Sequence, residues 1–334
     1  MLQRTACPPA GVRIAGTGIA LPARVVTNDD MAKIVDTSDE WITQRTGIRQ
    51  RYFVDDSQDV VSLASDAARA AIAAAGLEPG DIDLLILATL TPEMTCPSVA
   101  ARVADCIGAT PAGAFDLAAA CSGFIYGVNI AHNMIRSGFY RHVVVVGAET
   151  MSKVLNFEDR STCVLFGDGG GAAVLSASDD PEQGCLHQIM KSDGSLWREL
   201  YVPREMKHVP SEDKFNGVLG SMNMNGREVY KFAVNTLQHT IENALDAAGL
   251  KPNDLAMIVP HQSNIRIMQS AREKLGLPPE KMYINIDRYG NTSAASAAIC
   301  LHELMSQGKI KTGDLVLFTA MGGGMTWTNS LWRL

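Results

Sequence analysis

With 334 residues, 46% apolar and 19% charged, the chain has the composition of a globular protein able to bury a large core. A net charge of −7 argues against wrapping nucleic acid, which needs a strongly basic face, but leaves room for a local basic patch. No apolar run approaches the roughly 18 residues of a membrane span, and the opening MLQRTACPPAG lacks the apolar centre of a signal peptide.

In chain order, the alanine-rich stretch 71–76 predicts a helix stopped by Gly-x-x-Pro, followed by a buried strand over Leu84–Leu90. Phe115-Asp116-Leu117 reads as a short strand that ends in the small residues Ala118-Ala119-Ala120 before Cys121. Phe124, Val128, Ala131 and Ile135 then recur at helical spacing, predicting a helix between Ser122 and Arg136. Val143–Ala148 and Leu315–Met321 have the length of buried strands. His261 follows the apolar run LAMIVP, and Asn291 follows the expected strand at Ile286-Asp287-Arg288 and a glycine. Two glycine clusters, Phe166–Gly171 and Met321–Met325, are tight turns or linings of a pocket.

Several of these stretches occur twice. AIAAAGLEPGDIDLLIL at 71–87 aligns with ALDAAGLKPNDLAMIVP at 244–260, and His142–Ala148 aligns with Asp314–Ala320. The separation stays near roughly 170 residues, which predicts duplication of one α/β layer unit rather than a solenoid. The halves are placed at 1–177 and 178–334. Apolar strands of this kind sit in mostly parallel sheets covered on both faces, with ligands beyond their carboxyl ends. Chemistry is therefore expected at Ala118–Cys121, His261–Asn264, Asn291–Ser293 and Met321–Gly324.

Cysteines are seven, at Cys7, Cys96, Cys106, Cys121, Cys163, Cys185 and Cys300. Being odd in number and without a C-x-x-C pair, they argue against a disulfide framework or a zinc site and favour a reducing cytoplasm. A free cysteine is commonly a packed core residue. Cys121 differs in its small neighbours and in sitting at a strand-to-helix junction, where a helix N-terminus favours thiolate. Asn291 has a helix cap as its ordinary role. The repeat sets it within one or two residues of the counterpart of Cys121, so both helix starts should approach one central point.

Gly16-Thr17-Gly18, Asp36–Ile42, Arg45–Arg49, Ala118–Cys121, Phe166–Gly169, His261-Gln262, Gly290–Ser296 and Gly322–Gly324 occur in this order along nearly the whole chain. In these strings the sequence resembles the thiolase-like condensing enzymes, and most closely the β-ketoacyl-acyl-carrier-protein synthase III family. The resemblance implies a duplicated thiolase fold, α/β and five-layered αβαβα, with two mixed sheets related by pseudo-two-fold symmetry, and a homodimer. It implies a Cys121–His261–Asn291 triad and an oxyanion hole from the N–H groups of Cys121 and Gly323. Coenzyme A would meet Trp41 and Arg160 around its adenine, Arg45 at its phosphates and Asn264 at its pantetheine. Phe166 and Cys96 would border the acyl pocket, and Lys231, Arg266 and Lys274 would receive an acidic carrier protein.

The implied reaction is decarboxylative condensation of an acyl-coenzyme A with malonyl-acyl-carrier protein, priming type II fatty acid synthesis. It calls for no metal and no cofactor beyond the coenzyme A thioester as substrate. The chain departs from the family at Ser263 and Ser122, where alanine is usual or frequent, and at Cys96, where relatives preferring short acyl groups often carry a bulky aromatic. The small Cys96 leaves room for a longer acyl chain. Two other readings are a specialised condensing enzyme making a quinolone, pyrone or head-to-head lipid, with Glu93 as an added base, and a non-catalytic partner of a condensing enzyme.

Overall fold

The computed structural model describes residues 8–211, 215 and 218–334; Cys7, in the opening stretch read for a signal peptide, lies outside the described residues. Leu84–Ala88 and His142–Glu149 pair in parallel at the centre of the first sheet, with Gly113–Leu117 parallel at one edge. Gly169–Ser178 and Gly11–Ala20 continue the other side antiparallel. The second sheet repeats the scheme: Met257–Pro260 lies parallel to Leu315–Gly322, followed antiparallel by Thr326–Arg333 and Gly184–Ser192. Both sheets are mixed, and they are drawn from residues 11–178 and 184–333.

Period-two alternation distributes the apolar residues. Leu85, Leu87, Val144 and Val146 face outward onto the helices Val60–Ala74 and Val99–Ile107. Ile86, Val143 and Val145 face inward, onto Gly123–Arg136 and Ala295–Ser306. In the second sheet Val259, Val316, Phe318 and Trp332 point to this same central layer, while Ile258, Leu317 and Leu331 point outward to Gly226–Ala248 and Ile265–Lys274. The result is five layers, αβαβα. The unbroken apolar runs are explained by strands covered on both faces. No helix among the described residues is long and apolar enough to cross a membrane.

One expected strand is absent. Ile286–Tyr289 is a single helical turn, so Asn291 follows that turn and Gly290 rather than a strand. The counterpart of Gly113–Leu117 is instead a lone bridge between Ile258 and Met282. The buried Glu303 carboxylate accounts for the local departure: Arg288, Tyr283, Asn285 and Tyr289 all bond it, and the wound backbone gathers all of them.

The central helices sit close to the strands because glycines leave room. A Cβ at Gly147 would lie 2.5 Å from the Ala294 carbonyl oxygen, at the start of Ala295–Ser306. Gly147→Val should therefore lower stability by about 1–3 kcal/mol in urea denaturation, as overpacking does. It should also reduce condensing activity by more than that loss explains, because Asn291 precedes the displaced helix.

Candidate active site

All four strand-end segments contribute to one cavity of about 330 Å³, whose walls include Cys121, His261, Asn291, Ser293, Gly322 and Gly323. Leu90, Met151, Phe166, Leu200, Met222 and Phe232 give it an apolar lining. Three non-glycine residues among those described have positive φ: Ala120 at 46°, Ser293 at 50° and Met325 at 43°. All three line this cavity. Strain of this kind persists where surrounding structure over-determines it, and it concentrates at functional sites.

Cys121 lies in the turn Ala120–Ser122, ahead of the helix Gly123–Arg136. Gly322 packs against it so closely that a Cβ there would meet the Cys121 nitrogen at 2.6 Å, which only glycine permits. This approach keeps the Gly322-Gly323 backbone beside the sulfur-bearing residue. The Cys121 thiol donates to Ser293 Oγ at 3.5 Å. Burial pushes the thiol up from 9.0 to about 12; the Ser293 hydrogen bond opposes this and the Glu149 carboxylate adds to it. That displacement corresponds to about 4 kcal/mol. A helix N-terminus returns at most about 2 kcal/mol. Burial therefore works against the thiolate that the helix start favours.

His261 does not supply the missing charge either. Its backbone N–H extends the ladder beyond Met257–Pro260 by bonding the Thr319 carbonyl at 2.8 Å, and its ring is buried. Burial pushes its pKa down to about 3, so the imidazole is neutral near pH 7. Ser296 Oγ accepts the Gln262 N–H at 3.3 Å and lies 2.6 Å from His261 Nδ1. A ring protonated at Nε2, accepting the Ser296 hydroxyl proton at Nδ1, fits these contacts. Asn291 is oriented the same way: its Oδ1 accepts the Ser293 N–H at 2.9 Å, leaving the Nδ2 protons for a ligand. The cavity thus holds a thiol and two neutral N–H donors on its walls.

Two family profiles match the chain: 3-oxoacyl-[acyl-carrier-protein (ACP)] synthase III over residues 115–194 and its C-terminal region over 245–334. A β-ketoacyl-[acyl-carrier-protein] synthase III of Caldanaerobacter subterraneus is 46% identical over 97% of this chain and 98% of its own. The chain belongs to the synthase III family. The crystal structure of the Aquifex aeolicus 3-oxoacyl-[acyl-carrier-protein] synthase III is 46% identical, with a TM-score of 0.91 over 97% of this chain and 100% of that one. The priming β-ketosynthase of the R1128 polyketide biosynthetic pathway is 34% identical, with a TM-score of 0.90 over 100% of this chain and 99% of that one.

The residues singled out for coenzyme A in this synthase III chain form one cluster, packed differently from expectation. The Arg45 and Arg160 guanidinium groups each lie 4.7 Å from the centre of the Trp41 ring. Arg160 also donates to the Asp36 carbonyl at 2.8 Å. Trp41 is thus flanked by its two cations. Asn264 donates to the Arg45 carbonyl at 3.1 Å, caps the helix Ile265–Lys274 and lines the cavity, joining cluster and cavity.

Phe166 lines the cavity and is bridged to Asn291, whereas Cys96 is exposed and outside these walls. Lys231, Arg266 and Lys274 are all exposed, but Lys231 is paired with Glu228 at 2.6 Å, and Arg266 and Lys274 lie at opposite ends of the helix Ile265–Lys274. Glu93 is held by Arg102 at 3.0 Å and by the Val60 N–H at 3.1 Å, outside the cavity, and so is not placed as a base there.

Sequence reasoning gave no role to Ser293 and Ser296 and passed over Glu149. A glutamate closing the apolar run HVVVVGA, at the end of a buried strand, was the legible sign of it. Ser296→Ala should free the His261 ring. Carbon dioxide release from malonyl-acyl-carrier protein should fall about 10–100-fold while acylation of the enzyme persists. Histidine ¹⁵N chemical shifts, which distinguish the two ring tautomers, check the assignment directly.

Proposed function

We propose that the chain primes type II fatty acid synthesis by condensing an acyl-coenzyme A with malonyl-acyl-carrier protein through an acyl-Cys121 thioester. The observation that carries this reading is the gathering of Cys121, His261 and Asn291 on the walls of one apolar cavity, in a member of the synthase III family.

In the first stage the Cys121 sulfur attacks the thioester carbonyl. The N–H groups of Cys121 and Gly323 receive the developing oxyanion, each such donor being worth about 10²–10³ in rate. Coenzyme A leaves, and the acyl group is held on sulfur while the second substrate enters by the same route. Loss of carbon dioxide from the malonyl group then generates an enolate, whose oxygen accepts from His261 Nε2–H and Asn291 Nδ2–H. Neutral donors suit this step, because an imidazolium would protonate the enolate rather than hold it. The enolate carbon attacks the acyl-Cys121 carbonyl, and collapse releases 3-oxoacyl-acyl-carrier protein and the Cys121 sulfur. These steps need no metal or cofactor; the coenzyme A thioester is a substrate.

The apolar lining suits an alkyl acyl group, and the small, exposed Cys96 would leave room for a chain longer than acetyl where a partner subunit's pocket meets it. Homodimerisation belongs to this reading. It is supported by the half-buried strand Gly113–Leu117, which carries Phe115 and Leu117 at an open sheet edge. A cytoplasmic location is in keeping with the six unpaired cysteines among the described residues. Of the basic residues, Arg266 is the best suited to steer an acidic carrier protein, since it lies two residues from Asn264.

Incubation with a panel of acyl-coenzyme A thioesters should add one acyl mass to the intact protein, mapped to Cys121, with chain length reporting preference. An adduct persisting in Cys121→Ala would overturn the reading. His261→Ala should acylate but lose malonyl decarboxylation by about 10²–10⁴-fold. Arg160→Ala should raise KM for acyl-coenzyme A about tenfold with kcat little changed, as loss of a stacking cation implies.

A further inference from the structure

Cys121 is the nucleophile in the reading above, and this inference rests on that reading. Its proton must leave when sulfur attacks, and the His261 ring is engaged at Nδ1 by Ser296 Oγ, with no hydrogen bond to the thiol among the described residues. The recorded partner of the thiol is Ser293 Oγ at 3.5 Å. Ser293 Oγ in turn donates to Glu149 Oε1 at 3.0 Å. Glu149 is fully buried at the end of the strand His142–Glu149.

The two carboxylate oxygens are used differently. Oε2 accepts from Thr89 Oγ1 at 3.0 Å, the Leu90 N–H at 3.0 Å and Thr91 Oγ1 at 2.8 Å, anchoring the loop after Leu84–Ala88. Oε1 meets Ser293. No salt bridge to Glu149 is found among the described residues, so this is a buried carboxylate held by neutral donors. Asp168, one residue before its strand partner Gly169, is turned away to Ser152 and the Val54 N–H. The titratable group facing Glu149 is Cys121, across Ser293, with His261 on the same cavity.

We infer that Glu149 takes the Cys121 proton through the Ser293 hydroxyl during acylation and returns it by the same path when the condensed product leaves. As sulfur bonds to the acyl carbon, its proton passes to Ser293 Oγ and the Ser293 proton passes to Glu149 Oε1. Coenzyme A departs as thiolate and is protonated by solvent. When the second tetrahedral intermediate collapses, the sulfur leaves with the bonding electron pair and recovers its proton from the Glu149 carboxyl, through Ser293. No oxidant, reductant or further reactant is required, and total charge is conserved at each transfer. Burial raises the Glu149 carboxyl to about 7, the range in which a group takes up and returns a proton readily.

Glu149→Gln tests this while sparing the loop. The amide oxygen can accept from Thr89, Leu90 and Thr91, while the amide nitrogen donates to Ser293 and so blocks transfer in the needed direction. First-turnover coenzyme A release should fall about 10–100-fold at pH 7 in this variant. The wild-type rate should rise through the Glu149 titration and level off above about pH 8, because the proton then moves within the enzyme. The variant should keep rising about tenfold per pH unit, because its thiol must ionise to solvent.

Ser293→Ala, which leaves the three loop donors on Glu149, should share that steep profile and provides the measurement if Glu149→Gln fails to fold. A Glu149→Gln enzyme with the wild-type profile, or one acylating faster, would overturn the inference and leave Glu149 as a loop anchor or a repelling charge. Intact-mass mapping accompanies each assay. Acyl mass away from Cys121 in the wild type would overturn the nucleophile assignment itself, whereas mass on Cys121 with unchanged profiles would overturn the relay alone.

Discussion

Much of the molecule depends on one packing constraint: two helices, Gly123–Arg136 and Ala295–Ser306, buried side by side between two sheets. Each is fed by a segment leaving the carboxyl end of its own sheet, so the pseudo-two-fold arrangement turns the two helix starts toward each other. Cys121 precedes one helix and Asn291 the other. The approach is possible only because of glycines at the contacts, with Gly147 under Ala294 and Gly322 against Cys121. Side chains at either place would separate the layers by more than a reacting thioester tolerates, since misplacement by about 1 Å costs heavily in rate.

The same burial sets the electrostatics. Desolvation opposes the charged form of every ionisable group it covers, raising acids and thiols and lowering histidines. Here it raises Cys121 and Glu149 and lowers His261. Burial therefore works against a thiolate–imidazolium pair in this cavity. Two neutral N–H donors suit an enolate formed by loss of carbon dioxide. The thiol, in contrast, needs a route for its proton, and the hydrogen bonds through Ser293 lead inward to a carboxylate rather than outward to solvent.

The sequence disclosed the fold through repetition and the site through strand ends. Matching apolar runs at 84–90 and 257–260 fall on strands that pair in parallel with equivalent neighbours, His142–Glu149 and Leu315–Gly322, and Cys121 and His261 stand at the expected ends. The misses have physical causes. Ile286–Tyr289 winds because a buried carboxylate on a later helix gathers its neighbours, a tertiary demand invisible to local pattern. Trp41 is stacked by both arginines because indole and guanidinium attract each other. Glu149 was overlooked because apolar periodicity reports what is buried, whereas the chemistry resides in the polar exception at the end of the run.

Duplication also explains how one ancestral layout serves two different tasks. Equivalent junctions in the halves carry cysteine in one and asparagine in the other, so the nucleophile and a donor come from opposite halves. The halves diverge in the same sense at their edges: Gly113–Leu117 is a paired strand, while its counterpart keeps a single bridge at Met282. Shortening that second edge frees the following chain to wind and turn through Gly290, at φ 66°. From there Asn291 bonds the Leu165 carbonyl at 2.9 Å and Ser293 reaches across to Glu149. The asymmetry that replaces the strand expected at Ile286-Asp287-Arg288 with a helical turn is thus what carries the Asn291–Ser293 segment onto the first half, where the thiol lies.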